Sequence, residues 1–240
     1  MIKPTCVILE SHDAWVEACA TWIAGAIADA QEHIGGGLCS IALSGGGSPR
    51  PVYEALAERP VDWSRVLVTF SDERAVPFDH EASNFAMARE ALLDHVDIPA
   101  DQILPLPGDA SDLDEASRRL EASLPRTLDL VLLGIGADGH TASLFPGSSA
   151  LSEHGRHVAP TEGPPPHQTR LTLTPPALMA ARQVAVLAHG RAKADVICKA
   201  LLGPFKPREY PASLARGGLW LLDEAAAERL PRSLIHVARL

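Results

Sequence analysis

Four short apolar runs, each breaking into glycine or charge and leading toward a helical pattern, constrain the fold of this chain more than any other feature. "LCSIALS" runs into "GGGSPR", "RVLVTF" into "SDER", "LDLVLL" into "GIGADGH", and "QVAVLA" into "HGRAK". Such runs suit strands buried on both faces. Between and before them, helices follow the three- and four-residue spacing of apolar positions. Trp15, Ala18, Cys19, Trp22, Ile23, Ala26 and Ile27 mark one, with Ser11 or Asp13 as N-cap and "GGG" at 35–37 as its end. "SNFAMAREALLDHV", "DLDEASRRLEASL" and residues 191–201 have the same periodicity. "PTEGPPP" at 160–166 reads as a loop, followed by strand-like "RLTLTP". Alternating strands and helices predict an α/β fold, a Rossmann-like parallel β-sheet with helices on both faces. The vocabulary does not change along the chain, so one domain over residues 1–240 is expected.

Charge narrows the partners. The net charge is −9 and the lysines are Lys3, Lys193, Lys199 and Lys206, so no basic stripe is available for a nucleic-acid backbone. A small anion remains possible wherever a few cations and helix N-termini converge. Cys6, Cys19, Cys39 and Cys198 are widely spaced without a C-x-x-C pair, sit in apolar or helical surroundings and read as reduced core or near-core thiols. The early "VILE" run stops at Glu10, too soon for a signal-peptide core, and no apolar run approaches a membrane span. A cytoplasmic location is expected.

In open parallel sheets, ligands bind beyond the carboxyl ends of the strands. The segments 44–50, 71–74, 134–140 and 189–193 occupy such ends and should face one crevice. In "SGGGSPR", glycines let backbone N–H groups approach an anion, while Ser48 and Pro49 suit the cap and first turn of a helix. The G-K-[ST] of a Walker loop is missing. "SDER" offers Asp72, Glu73 and Arg74; on an extended chain, adjacent carboxylates alternate in direction, so at most one of them shares the crevice. "HGRAK" adds Arg191 and Lys193 at a helix start, where extra positive charge is unfavourable unless an anion joins it.

"GIGADG" satisfies the G-x-G-x-x-G pattern of a dinucleotide turn, but His140 follows the third glycine, Pro146 interrupts soon after, and "HVAPT" at 157–161 lacks the expected carboxylate. What remains is His140 beside Asp138 on a glycine-rich loop, an imidazole able to take a proton and an acid able to hold its tautomer. No G-x-S-x-G elbow occurs, and "HGRH" at 154–157 lacks the partners of a zinc site.

In this order, "LSGGGSP", "SDERAVPFDHEASN", "GIGADGHTASLFPG", "RLTLTPPAL" and "LDEAAAERL" resemble the 6-phosphogluconolactonase family, from about residue 40 onward. The resemblance implies hydrolysis of 6-phospho-D-glucono-1,5-lactone to 6-phosphogluconate in the pentose phosphate pathway, with no metal or organic cofactor. It implies His140 as general base and Asp138 as its neighbouring acid, with Gly45, Gly46, Ser48, Arg74 and Lys193 holding phosphate. Asp72 and Arg74 complete the candidate catalytic set. The expected partner is a small sugar-phosphate lactone, with neither nucleic acid nor membrane, and the chain is expected to be a monomer or weak homo-oligomer. Arg191 stands where the family often has an acidic residue. Two alternatives are a glucosamine-6-phosphate deaminase and a sugar-phosphate-binding domain without catalysis. Chains of the deaminase type carry a carboxylate five residues after the histidine, where Phe145 stands here.

Overall fold

The computed structural model describes residues 4–231. Six strands form one parallel sheet: β1 (Thr5–Leu9), β2 (Cys39–Leu43), β3 (Val66–Phe70), β5 (Leu130–Leu133), β8 (Gln183–Ala188) and β9 (Leu219–Asp223), in the order β1-β9-β8-β5-β2-β3. All of β2 and β5 is buried, as central strands covered on both faces must be. The crossovers β1–α1–β2 and β2–α2–β3, through α1 (His12–Ile34) and α2 (Pro49–Ala57), run toward one edge, and α1 packs on α2. Those from β5 to β8 and from β8 through α6 (Ala194–Leu202) to β9 run the other way. Right-handed crossovers therefore put the two sets of helices on opposite faces.

Helix α1 is capped by the Ser11 hydroxyl, which accepts from the Ala14 amide, and ends at Gly35 in the left-handed region, φ 61°. Its buried stripe includes Trp15, Cys19, Ile23 and Ile27. The Trp15 indole donates to the Leu221 carbonyl at 2.9 Å, joining helix to sheet.

A second sheet departs from the expected architecture. Strands β4 (Asp72–Arg74), β6 (Val158–Glu162) and β7 (Thr169–Leu173) form an antiparallel unit in the order β4-β7-β6. Residues 160–162, read above as loop, belong to β6. Pro160 is tolerated because β6 lies at the edge of its sheet, where a missing N–H need break no ladder bond. The connection itself is only 163–168.

The remaining helices are α3 (Asn84–Ala91), α4 (Leu113–Ser123), α5 (Pro175–Ala180) and α7 (Glu224–Ala227). Strand β2 leads outward to β3, while β5 lies on the other side of β2. This change of direction opens a crevice above the carboxyl ends of β2 and β5.

Candidate active site

A cleft of about 220 Å³ occupies that crevice. All four strand-end segments reach it: Ser44 to Pro49 from β2, Ser71, Asp72 and Arg74 beyond β3, Gly134 to Gly136 and His140 beyond β5, and Lys193 beyond β8. Their convergence follows from parallel strands ending on one side of the sheet.

The glycine loop is fixed at its root by Tyr53 of α2, whose hydroxyl accepts from the Ser44 amide at 2.9 Å and donates to the Ser44 carbonyl at 2.8 Å. A side chain at Gly45 would overlap Asn84, so the loop lies directly against the first residue of α3. Pro49 opens α2 as expected. Ser48 does not cap it: its backbone is already helical and its side chain makes no cap hydrogen bond. Ser48 lines the cleft.

His140 and Asp138 meet. Asp138 Oδ1 lies 2.5 Å from His140 Nδ1 and accepts from the His140 amide at 3.1 Å. Burial alone would raise the Asp138 carboxyl, but the His140 amide and imidazole outweigh it and hold the group below its ordinary value. An ionised carboxylate can only accept, so in the neutral imidazole Nδ1 carries the proton and Nε2 the lone pair. The loop closes on itself through Gly136 N–H to the His140 carbonyl, 2.9 Å. A Cβ at Gly136 would run into the imidazole, which explains the glycine at that position. No helix follows Gly139, so the dinucleotide geometry is absent. Phe145 packs against the ring, centroids 4.5 Å apart.

Beyond β3, alternation separates the two carboxylates. Asp72 lines the cleft and accepts from Ser143 Oγ at 2.6 Å. Glu73 turns the other way to the start of α3, accepting from the amides of Arg74, Asn84 and Phe85 and from Ser83 Oγ. Burial raises its carboxyl, and these four donors pull it back only in part. Arg74 donates to the Ala82 carbonyl and lines the cleft.

Beyond β8, the predicted cation pair divides. Lys193 reaches the cleft, whereas Arg191 pairs with Glu228 at 3.3 Å on the exposed side. The local charge conflict at Arg191 is thus relieved by a protein carboxylate.

Sequence reasoning passed over Asn84 and Arg170, both of which line the cleft. Asn84 donates to the Asp72 carbonyl at 2.8 Å. Arg170 sits on β7, and only the pairing of β7 with β4 brings it here. The signal available for Arg170 was its period-two spacing in "TRLTL", where Arg170 and Thr172 share one strand face. Among the described residues, no group of three or more His, Cys, Asp or Glu is placed to hold a metal.

The arrangement joins a fixed base, several cations, a helix N-terminus and a run of loop amides in one cleft. It can bind an anion and move a proton beside it.

Comparison with known proteins agrees with this geometry. The family model for glucosamine-6-phosphate isomerases/6-phosphogluconolactonase matches residues 10–221. A 6-phosphogluconolactonase of Synechocystis is 41% identical over 204 residues, covering 80% of this chain and 84% of its own. One from Mycobacterium tuberculosis is 39% identical over 243 aligned positions, covering 93% and 97%. The solved structure of 6-phosphogluconolactonase from Trypanosoma brucei has a TM-score of 0.82 at 31% identity, covering 96% of this chain and 100% of that one. With a matching fold and a family model spanning most of its length, the chain belongs to the glucosamine-6-phosphate isomerase/6-phosphogluconolactonase family.

Proposed function

We propose that this protein is a 6-phosphogluconolactonase that hydrolyses 6-phospho-D-glucono-1,5-lactone to 6-phospho-D-gluconate, the lactone-opening step of the pentose phosphate pathway, with His140 as general base. The observation that carries the role of His140 is its contact with Asp138 at the cleft, which in the neutral imidazole places the proton on Nδ1 and the lone pair on Nε2.

His140 Nε2 takes a proton from water as the water oxygen attacks the lactone carbonyl carbon. The carbonyl oxygen becomes an oxyanion, stabilised by cleft cations or loop amides. Collapse breaks the bond to the ring oxygen, and the imidazolium returns its proton there, giving a hydroxyl and a carboxylic acid that ionises in water. Asp138 holds the ring and favours the transient imidazolium. Gly45, Gly46, Ser48, Arg74 and Lys193 hold the phosphate, so that its binding energy orients the reacting ring. Asp72 contributes by holding its neighbours, its carboxylate accepting from Ser143 Oγ and its carbonyl from Asn84 Nδ2. Phe145 offers no carboxylate beside His140, which favours hydrolysis over deamination.

The reading extends to one domain over residues 1–240, supported by a hydrophobic core that draws on residues from Cys6 to Leu230. It also takes the enzyme to be cytoplasmic and a monomer or weak homo-oligomer. No described helix is long and apolar enough to cross a membrane.

The test is the disappearance of freshly made 6-phosphogluconolactone near neutral pH, above background. Acceleration by the intact protein with loss in His140→Ala is the expected result. If the intact protein matches the background rate, the hydrolase reading fails.

A further inference from the structure

Arg170 stands outside the residues that the sequence marks as functional, yet its setting is unusual. The register of β4 on β7 places Arg74 directly opposite Arg170, on the strand face shared with Asp72 and Thr172. Like charges in directly opposed positions destabilise a strand pair. Both arginines line the cleft, and neither makes an ion pair with a carboxylate among the described residues. Asp72, which faces them, is already engaged by Ser143. Burial first, and then the Arg74 charge, push the Arg170 guanidinium below its ordinary value, although it stays protonated near neutrality.

The stem of Arg170 is held by what surrounds it. Its Nε donates to the His167 carbonyl at 3.0 Å, and its guanidinium lies 5.4 Å from the centre of the Phe145 ring. The β6–β7 turn closes so tightly that a Cβ at Gly163 would overlap both Arg170 and Phe145. The two terminal nitrogens have no hydrogen-bond partner among the described residues. A held, half-buried fork of donors beside a second guanidinium is arranged for an anion carrying more than one charge.

We propose that Arg170 determines specificity for the phosphorylated substrate: together with Arg74 it clamps the phosphate dianion and so separates the phosphorylated lactone from its neutral counterpart. The proposal rests on the lactonase reading. Binding the dianion relieves the repulsion between the two guanidinium groups, so the cleft is electrostatically poised for it. Lys193, a point charge on another strand end, adds attraction without the planar geometry of the fork.

The experiment compares 6-phosphogluconolactone with unphosphorylated glucono-1,5-lactone in the intact protein, Arg170→Gln and Arg170→Lys, and measures inhibition by inorganic phosphate in each. Arg170→Gln should lower kcat/KM on the phosphorylated lactone by about ten- to a hundredfold, mostly through KM. It should leave the neutral lactone nearly unchanged and weaken phosphate inhibition by a similar factor. Arg170→Lys should recover only part. An equal loss on both lactones, or unaltered phosphate inhibition, overturns the proposal. Where turnover of the neutral lactone is too slow to measure, the phosphate inhibition constant decides. If Arg170→Gln does not fold, Arg170→Lys carries the comparison, because it keeps the charge and removes the fork. If the intact protein hydrolyses no phosphorylated lactone, the lactonase reading fails instead, and phosphate-dependent thermal stabilisation of the same variants still reads the Arg170 contact.

Discussion

An ionised carboxylate accepts hydrogen bonds and cannot donate them, so Asp138 allows the neutral His140 only one tautomer. Asp138→Asn would present an amide that donates as well as accepts and would release that restriction. We predict that His140→Ala loses about 10²- to 10⁴-fold in kcat, the range of general acid–base contributions, and that Asp138→Asn falls within it. Both variants should stay folded, with thermal midpoints lowered only slightly, since these side chains are partly exposed and their contact contributes little to stability. The pH sign follows from the lowered Asp138 value. Its contact contributes to stability above the ordinary 3.8 and is lost only as pH falls through the lower folded-state value. At this scale the site was readable in the sequence because Asp138 and His140 lie two residues apart on one loop. Arg170 was not, because its meaning comes from a strand partner nearly a hundred positions earlier.

Glu73 shows how an element is set in place by a residue that looked functional. Its carboxylate receives the amides of Asn84 and Phe85 at 2.7 and 2.8 Å and so anchors the start of α3, where Asn84 enters the cleft. Glu73→Ala should destabilise the protein by about 1–3 kcal/mol, since buried amides would lose their acceptor. Urea unfolding would show this as a lower midpoint. Phosphate affinity should fall with it as Asn84 and the adjoining glycine loop shift. Strand alternation in "SDER" correctly separated the two carboxylates but could not tell which of them faced the ligand. Pro160 misled in the opposite direction: proline and glycine signals marked a loop, and only edge position in a sheet formed by distant segments makes a strand there. The parallel sheet was legible because uninterrupted apolar runs have few other folded solutions. The small antiparallel sheet was not, since its pairings are non-local.

For the whole molecule, two predictions concern protons on buried and half-buried groups. His189 packs within 4.7 Å of His12 and 4.9 Å of Trp15, ring centre to ring centre, with Asp223 and Lys193 as further charged neighbours. Burial, then the His12 charge, lower it from 6.5. The unfolded chain therefore binds the proton first, and stability should decline as pH falls below about 6.5, down through the folded-state value. Denaturation at a series of pH values should show this slope, and His189→Gln should flatten it. Burial also pushes the Cys6 thiol up to about 11 and that of Cys39 to about 12, and raises Cys19 as well. Iodoacetamide at pH 8 should leave these three unmodified in the native protein and label them in urea. The sequence foresaw reduced core or near-core thiols, and Cys6, Cys19 and Cys39 are buried while Cys198 is half-buried. Finally, the Arg74–Arg170 register acts as a ruler. Side chains return to the same strand face every second residue, a step of about 6.6–6.8 Å, so the distance from the guanidinium pair to the base comes in increments rather than as a continuous quantity. Sliding β7 by one residue would turn Arg170 out of the cleft, whereas sliding it by two would preserve the face and change the length of molecule that fits. Diversification of such a cleft is therefore expected to proceed in strand steps, with the proton-transferring loop left where it stands.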